Sequence, residues 1–140
     1  MTSVLLDTNV VVDVLLGREP FVTHSAEVLQ LAARGEIRGL ISATGLTTAW
    51  YLTERYQNSH DAEVAIRMLV SLLEVASVSE NQITAALDTM ESGAFADFED
   101  AVQHAAAVSA GAELIITRNG KDFAGGSLST MTPQAFLESR

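Results

Sequence analysis

The sequence predicts an α/β protein in which helices cover both faces of a central parallel sheet of four to five strands. Short runs of branched apolar residues alternate along the chain with longer segments whose apolar residues recur every three or four positions. Strands joined through helices pair in parallel with right-handed crossovers, which places the helices on the two faces of the sheet. The 140 residues suit one domain with a substantial core, so we expect a single domain over residues 1–140.

The first half of the chain supplies two predicted strands and four predicted helices. The run Ser3-Val4-Leu5-Leu6 has the length and branching of a buried strand. Gly35 ends the second helix, because glycine readily adopts the backbone conformation that follows a helix. The predicted strands are residues 3–7 and 38–42, and the predicted helices are residues 10–16, 21–34, 46–56 and a segment that begins at 59 or 60.

The second half supplies the remaining strands and helices. Ser79 and Gln82 have the spacing of a capping box, in which each side chain binds the backbone of the other residue at the start of a helix. Thr132-Pro133 combines a cap residue with a first-turn proline. The predicted strands are residues 75–78, 114–117 and, as a candidate edge strand, 128–131; the predicted helices are residues 79–90, 101–110 and a short final helix.

The composition excludes several kinds of site. The chain has no cysteine, which excludes disulfides, cysteine-based zinc sites and thiol nucleophiles. No uninterrupted apolar stretch approaches the ~18 residues of a membrane span, and no basic leader precedes the first strand. We therefore expect a soluble, unprocessed, cytoplasmic protein with no membrane association.

The charge balance is strongly acidic. With 18 acidic and 8 basic side chains, the formal net charge is −10. This charge argues against broad electrostatic attraction to nucleic acid. A polyanionic substrate would need bound divalent cations, a few well-placed basic residues such as Arg118 and Lys121, or a basic partner.

Three polar segments carry the candidate site residues. Asp7 follows the first strand, residues 97–100 lie at the start of a helix, and residues 117–123 follow the fourth strand. Two of these segments directly follow parallel strands and so open at one end of the sheet, where α/β proteins place their ligands. Asp97 and Asp100 are three residues apart and point the same way from a helix, with His104 on that face.

A cluster of carboxylates at this edge would need a proton or a cation. Two carboxylates ~4 Å apart repel each other by roughly 4 kcal/mol at an effective dielectric constant near 20. Oxygen ligands suit Mg²⁺ or Mn²⁺, which polarise phosphodiesters and activate water. Taken singly, however, Asp7, Asp97 and Asp100 also fit helix caps, and Asn119-Gly120 is a common turn. A single histidine without cysteine does not indicate zinc, so we expect His104 to be packed.

In order and spacing, these segments resemble the PIN domain, in particular the toxins of the VapBC type. The resemblance is carried by three motifs and covers nearly the whole chain. The motifs are Leu6-Asp7-Thr8-Asn9, Asp97-Phe98-Glu99-Asp100-Ala101, and Thr117-Arg118-Asn119 with Asp122-Phe123. The resemblance implies a three-layer PIN fold, with the parallel sheet between helices and a site for an endoribonuclease that depends on Mg²⁺ or Mn²⁺.

The resemblance also implies roles for individual residues. Asp7 and Asp100 match the metal ligands of the family. Asn119, where many members have aspartate and some asparagine, completes the catalytic set with Asp122. The residues implied to support the site are Thr8, Asn9, Asp97 and Thr117, and those implied to meet RNA phosphate are Arg118 and Lys121. Asp13 and Arg18 are expected to form a structural ion pair.

One position departs from the family pattern and keeps a second function open. Members with a complete site carry a glutamate on the helix after the second strand, where this chain has Thr48; Glu54, six residues on, faces another way. Asp97 is the candidate to compensate, although a capping role is the simpler interpretation. The alternative function is a PIN domain with a degraded site that acts as an interaction module. A phosphate-accepting receiver-like domain, using Asp7 and Lys121, ranks third.

If the resemblance to the toxins holds, partners follow from it. It implies an RNA substrate, a small antitoxin whose tail covers the acidic site with an arginine or lysine, and a second copy of the chain in a homodimer. The apolar helix surface around Trp50, Tyr51 and Tyr56 would serve one of these interfaces or be buried within the monomer.

Overall fold

Five parallel strands form one sheet in the computed structural model of the protein, which describes all 140 residues. The strand order is β3-β2-β1-β4-β5, so the N-terminal strand lies at the centre. The strands are β1 (Ser3–Leu6), β2 (Arg38–Ser42), β3 (Glu74–Ala76), β4 (Leu114–Ile116) and β5 (Ser129–Met131). The predicted fold class is confirmed, and the candidate edge strand is β5.

Seven α-helices connect and cover the strands. They are α1 (Thr8–Leu15), α2 (Val22–Ala33), α3 (Ala43–Tyr56), α4 (Ser59–Leu72), α5 (Glu80–Glu91), α6 (Phe98–Ser109) and α7 (Pro133–Glu138). The start predicted for α3 at residue 46 was wrong, because Ser42 caps the helix by accepting a hydrogen bond from the Gly45 N–H at 3.0 Å. The polar loop after β4 contains a 3₁₀ turn at Gly120–Phe123.

The sheet separates two hydrophobic clusters. Alternating residues of β1 point to opposite faces: Val4 and Leu6 pack with residues of α1, α2, α4 and α7, whereas Leu5 packs with residues of α5 and α6. All three side chains are fully buried. The architecture therefore has three layers, helix, sheet and helix, and the carboxyl ends of β1 and β4 open beside the start of α6. None of the helices combines the length and apolar character needed to cross a lipid bilayer.

A buried ion pair fixes the segment that follows β4. Asp13, on α1, is fully buried and accepts hydrogen bonds from Arg118 Nε at 2.6 Å and Arg118 Nη2 at 3.3 Å. The Arg118 guanidinium also lies over the Phe21 ring, with its carbon 4.0 Å from the ring centroid. The predicted pair between Asp13 and Arg18 is present at 3.8 Å, but Arg118 makes the shorter contacts. The pair holds the start of the loop that carries Asn119 against α1.

Replacing Asp13 tests this attachment. We expect Asp13→Asn to lower the free energy of unfolding by about 2 to 3 kcal/mol, because it leaves the half-buried Arg118 guanidinium without its carboxylate. Urea denaturation measures the change. The matched control is Glu36→Gln, which breaks an exposed 2.6 Å pair with Arg34 and should cost less than about 1 kcal/mol. Equal losses for the two variants would contradict a structural role for the buried pair.

Candidate active site

Ten polar residues from both halves of the chain line an open cleft of about 260 Å³. No apolar side chain lines it. The residues are Asp7, Thr8, Asn9, Thr48, Asp97, Glu99, Asp100, Gln103, Asn119 and Asp122. The three polar segments singled out in the sequence therefore converge, and Asp7 and Asp100 open onto the same space.

Asp7 is the most firmly held carboxylate of the cleft. It is only 4% exposed, and each oxygen accepts a hydrogen bond: Oδ1 from Gln103 Nε2 at 3.1 Å and Oδ2 from Thr117 Oγ1 at 2.8 Å. Although Asp7 occupies the N-cap position of α1, its side chain makes no capping hydrogen bond. The interpretation of Asp7 as a simple helix cap was therefore wrong, and its carboxylate is oriented by α6 and by the residue after β4.

Gln103 is a site residue that the sequence analysis missed. Its side chain is 1% exposed; besides donating to Asp7, its Oε1 accepts from the Thr8 N–H at 3.0 Å and from Thr8 Oγ1 at 3.3 Å. It thereby links α6 to the first turn of α1. Gln103 lies three residues after Asp100, so helical spacing alone places both on one face of α6 and was the available signal.

The start of α6 presents three acidic residues. Asp97 is the N-cap and accepts a hydrogen bond from the Asp100 N–H at 3.0 Å, which agrees with its interpretation as a cap. Glu99 and Asp100 follow in the first helical turn, and both are half-buried. Glu99 also lines the cleft, although the sequence analysis did not include it among the site residues.

Helix α3 forms one wall of the cleft because the glycine at position 45 lets this helix approach α1. A Cβ atom at Gly45 would lie 2.8 Å from Thr8 Oγ1, which is closer than such contacts allow. The absence of a side chain at Gly45 therefore permits the close packing that brings Thr48, one turn later, into the cleft. The cleft wall formed by α3 contains no carboxylate.

Negative charge is concentrated in the cleft without basic compensation. Burial raises the pKa of Asp100 to about 7, and the nearby carboxylates of Asp97, Asp7, Asp122 and Glu99 add to the rise. Burial also raises the pKa of Glu99, the carboxylates of Asp7 and Asp97 add to that rise, and the nearby hydroxyls of Thr8 and Thr48 oppose it. No lysine or arginine lines the cleft. The site therefore favours protons or a bound cation.

The donor set fits a hard, hydrated cation. Carboxylate and amide oxygens are the ligands of Mg²⁺ and Mn²⁺. No three acidic or histidine side chains converge tightly enough to form a preformed cage. Mg²⁺ is usually held by one or two carboxylates and retains several of its waters, so it needs no such cage. Asp7, already fixed on both oxygens, and Asp100, which lines the same cleft, suit this mode of binding.

The basic residues expected to contact phosphate lie outside the cleft. The Arg118 guanidinium is bound to Asp13, and Lys121 is exposed on the turn Gly120–Phe123. Neither residue lines the cleft, so their contact with RNA stays a prediction. His104 is 8% exposed, its Nε2 accepts from the Ser127 N–H at 3.0 Å, and its ring packs against Phe95, as expected for a structural histidine.

Comparison with known proteins finds a family whose sequences resemble most of this chain. A family model described as PIN domain matches residues 3–121. No curated protein matches the sequence. Among solved structures, VapC20 of Mycobacterium tuberculosis, described as a Sarcin-Ricin loop cleaving toxin, is similar with a TM-score of 0.74 and 17% identity, over 93% of this chain and 99% of that chain.

Two further solved structures are similar over almost their whole length. VapBC2 from Rickettsia felis, bound to a DNA fragment from its promoter, has a TM-score of 0.72 and 17% identity, over 94% of this chain and 98% of that chain. A toxin-antitoxin complex from Klebsiella pneumoniae has a TM-score of 0.68 and 23% identity, over 93% of this chain and 97% of that chain. At these identities, the likeness shows the fold.

The raised pKa of Asp100 predicts an unusual dependence of stability on pH. Between the unfolded value of 3.8 and about 7, the folded protein keeps a proton that the unfolded chain releases. The free energy of unfolding of the metal-free protein should therefore fall as the pH rises through this interval. Asp100→Asn removes the ionisation, so we expect it to stabilise the protein in EDTA by about 1 kcal/mol at pH 8, after discounting for solvent screening.

Urea denaturation at pH 5 and pH 8 measures this effect. Because Asp100 is protonated at pH 5, Asp100→Asn should have little effect there. The matched control is Asp88→Asn, an exposed carboxylate on α5, which should change stability little at either pH. A destabilised Asp100→Asn variant at pH 8 would contradict the repulsion inferred for the cleft.

Proposed function

The chain belongs to the PIN domain family, and we propose that it is a metal-dependent endoribonuclease that hydrolyses RNA phosphodiester bonds as the toxin of a toxin–antitoxin pair. The observation that carries this proposal is the cleft in which Asp7 and Asp100 face the same space, with Asn119 and Asp122 beside them. The likeness in fold to proteins described as toxins supports it.

The metal is proposed to be Mg²⁺ or Mn²⁺, held by Asp7 and Asp100, with Asn119 and Asp122 completing the site. When bound, the ion supplies positive charge that polarises the phosphodiester and favours attack by water. The same charge would draw an RNA phosphate into a cleft whose own side chains repel it.

Several residues of the chain would position this chemistry. Gln103 and Thr117 hold the two oxygens of Asp7, so that the carboxylate keeps one orientation. Thr117 Oγ1 also accepts a hydrogen bond from the Asn119 N–H at 3.0 Å, which ties the loop after β4 to the same group. Lys121, exposed on the next turn, is the better candidate to contact phosphate because Arg118 is engaged by Asp13.

The proposed partners follow from the charge of the cleft and from the relatives in fold. An acidic cleft is complementary to an arginine or lysine side chain, so we propose a small antitoxin whose basic tail covers it. A second copy of the chain would complete a homodimer, as the resemblance to VapBC toxins implies. An RNA substrate would place the protein in the cytoplasm.

One observation favours the second function, an interaction module with a degraded site. Thr48 occupies the cleft wall formed by α3, where members with a complete site supply a carboxylate, so the site lacks one negative charge there. A degraded site should bind no divalent cation in a manner that depends on Asp7 and Asp100. Titration with Mn²⁺ therefore separates the two functions.

RNA cleavage tests the proposed activity. We expect the purified protein to cleave RNA with Mg²⁺ or Mn²⁺ and to stop when EDTA is added. Asp7→Asn should lower the rate by roughly 100-fold or more, because the amide cannot supply the negative charge of the carboxylate to the ion. Gel electrophoresis of a labelled RNA measures the rate.

The control is Asp88→Asn, which makes the same change of charge at an exposed position of α5 and should cleave RNA like the unsubstituted protein. Cleavage that persists both in EDTA and in Asp7→Asn would reject the proposed activity.

A further inference from the structure

Glu99 is a carboxylate of the cleft that has no cationic partner. It is half-buried in the first turn of α6, yet no lysine, arginine or histidine forms a salt bridge with it. It does not cap the helix, since Asp97 occupies that position and accepts from the Asp100 N–H. A half-buried carboxylate among other carboxylates, without a cationic partner, disfavours folding. Its position therefore needs an explanation other than an ion pair or a helix cap.

The geometry of α6 directs Glu99 toward Asp7. Glu99 lies four residues before Gln103, so the two side chains share one face of the helix. Gln103 on that face binds Asp7 directly, at 3.1 Å. Glu99 is thus on the same side of α6 as the most firmly held carboxylate of the cleft.

Glu99 shares the cleft with the wall that lacks a carboxylate. Its side chain lines the cleft together with Thr8 from α1 and Thr48 from α3. Thr48 brings only a hydroxyl to its wall. Glu99 thus brings a carboxylate from α6 into a cleft to which α3 contributes none.

We propose that Glu99 is a cation-binding carboxylate of this cleft, supplying from α6 the negative charge that α3 does not provide at Thr48. This inference rests on the proposed function, because it assigns a ligand to the same metal site. Asp7 and Asp100 would hold the ion directly, and Glu99 would bind it through a water that the ion retains, which agrees with the absence of three tightly converging acidic side chains. The site would then have as many negative charges as one with a carboxylate at position 48.

Titration with Mn²⁺ by calorimetry tests the inference independently of RNA cleavage. We expect Glu99→Gln to weaken Mn²⁺ binding by about tenfold or more at pH 8. The matched control is Glu54→Gln, which removes one carboxylate from an exposed position of α3 and should change the affinity by less than about twofold. Circular dichroism of the metal-free variants checks that each is folded.

A second variant moves the carboxylate from α6 to α3. Glu99→Gln combined with Thr48→Glu restores the charge from α3, and we expect it to regain most of the lost affinity. A purely structural role for Glu99 would not be rescued in this way. The Mn²⁺ affinity of the double variant also tests the inference if Glu99→Gln alone folds poorly.

The outcomes separate failure of this inference from failure of the proposed function. If Asp7→Asn abolishes Mn²⁺ binding but Glu99→Gln binds as tightly as Glu54→Gln, the role of Glu99 is overturned while the metal site stands. If the unsubstituted protein shows no saturable Mn²⁺ binding, the proposed function fails and this inference fails with it. Weakened binding in Glu99→Gln with recovery in the double variant supports the assignment.

Discussion

The site depends on the pair of hydrogen bonds that fixes the Asp7 carboxylate. Gln103 donates to one oxygen from α6, and Thr117 donates to the other from the end of β4, at 3.1 and 2.8 Å. Asp7 itself follows the central strand β1, so three separate elements meet at one side chain. A rigid carboxylate at the carboxyl end of the central strand gives the cleft a fixed reference point, around which the acidic residues at the start of α6 are arranged.

The clustered carboxylates of the cleft lower the stability of the fold, although they are the groups that would bind a cation. Carboxylates from the end of β1, the start of α6 and the turn after β4 are brought together without a basic residue among them, and burial together with their mutual repulsion raises the pKa of Asp100 to about 7. Such an arrangement costs stability in the metal-free protein and would be relieved by a cation or by a basic side chain from a partner. In the proposed toxin, the cation would serve RNA cleavage, and the basic side chain of an antitoxin would inhibit it.

The local sequence pattern was sufficient to predict the strands, the sheet and the end of the sheet that carries the site. It was not sufficient to predict the long-range side-chain contacts that complete the site. The strands, the parallel sheet and the positions of Asp7 and Asp100 follow from short-range periodicity and from where each strand ends. The roles of Gln103 and Arg118 depend on partners 96 and 105 residues away in the sequence, Asp7 and Asp13, so only the folded chain reveals them. Glu99 was passed over because its neighbours in sequence, Asp97 and Asp100, already explained the motif.

The proposed function requires that folding bring Asp7 and Asp100 to one shared cation. Anomalous scattering from crystals of the protein grown with Mn²⁺ would show where that cation binds. We expect an anomalous peak in the cleft, about 2 Å from a carboxylate oxygen of each of the two residues. A fully occupied peak bound elsewhere, or no peak in the cleft at millimolar Mn²⁺, would contradict it.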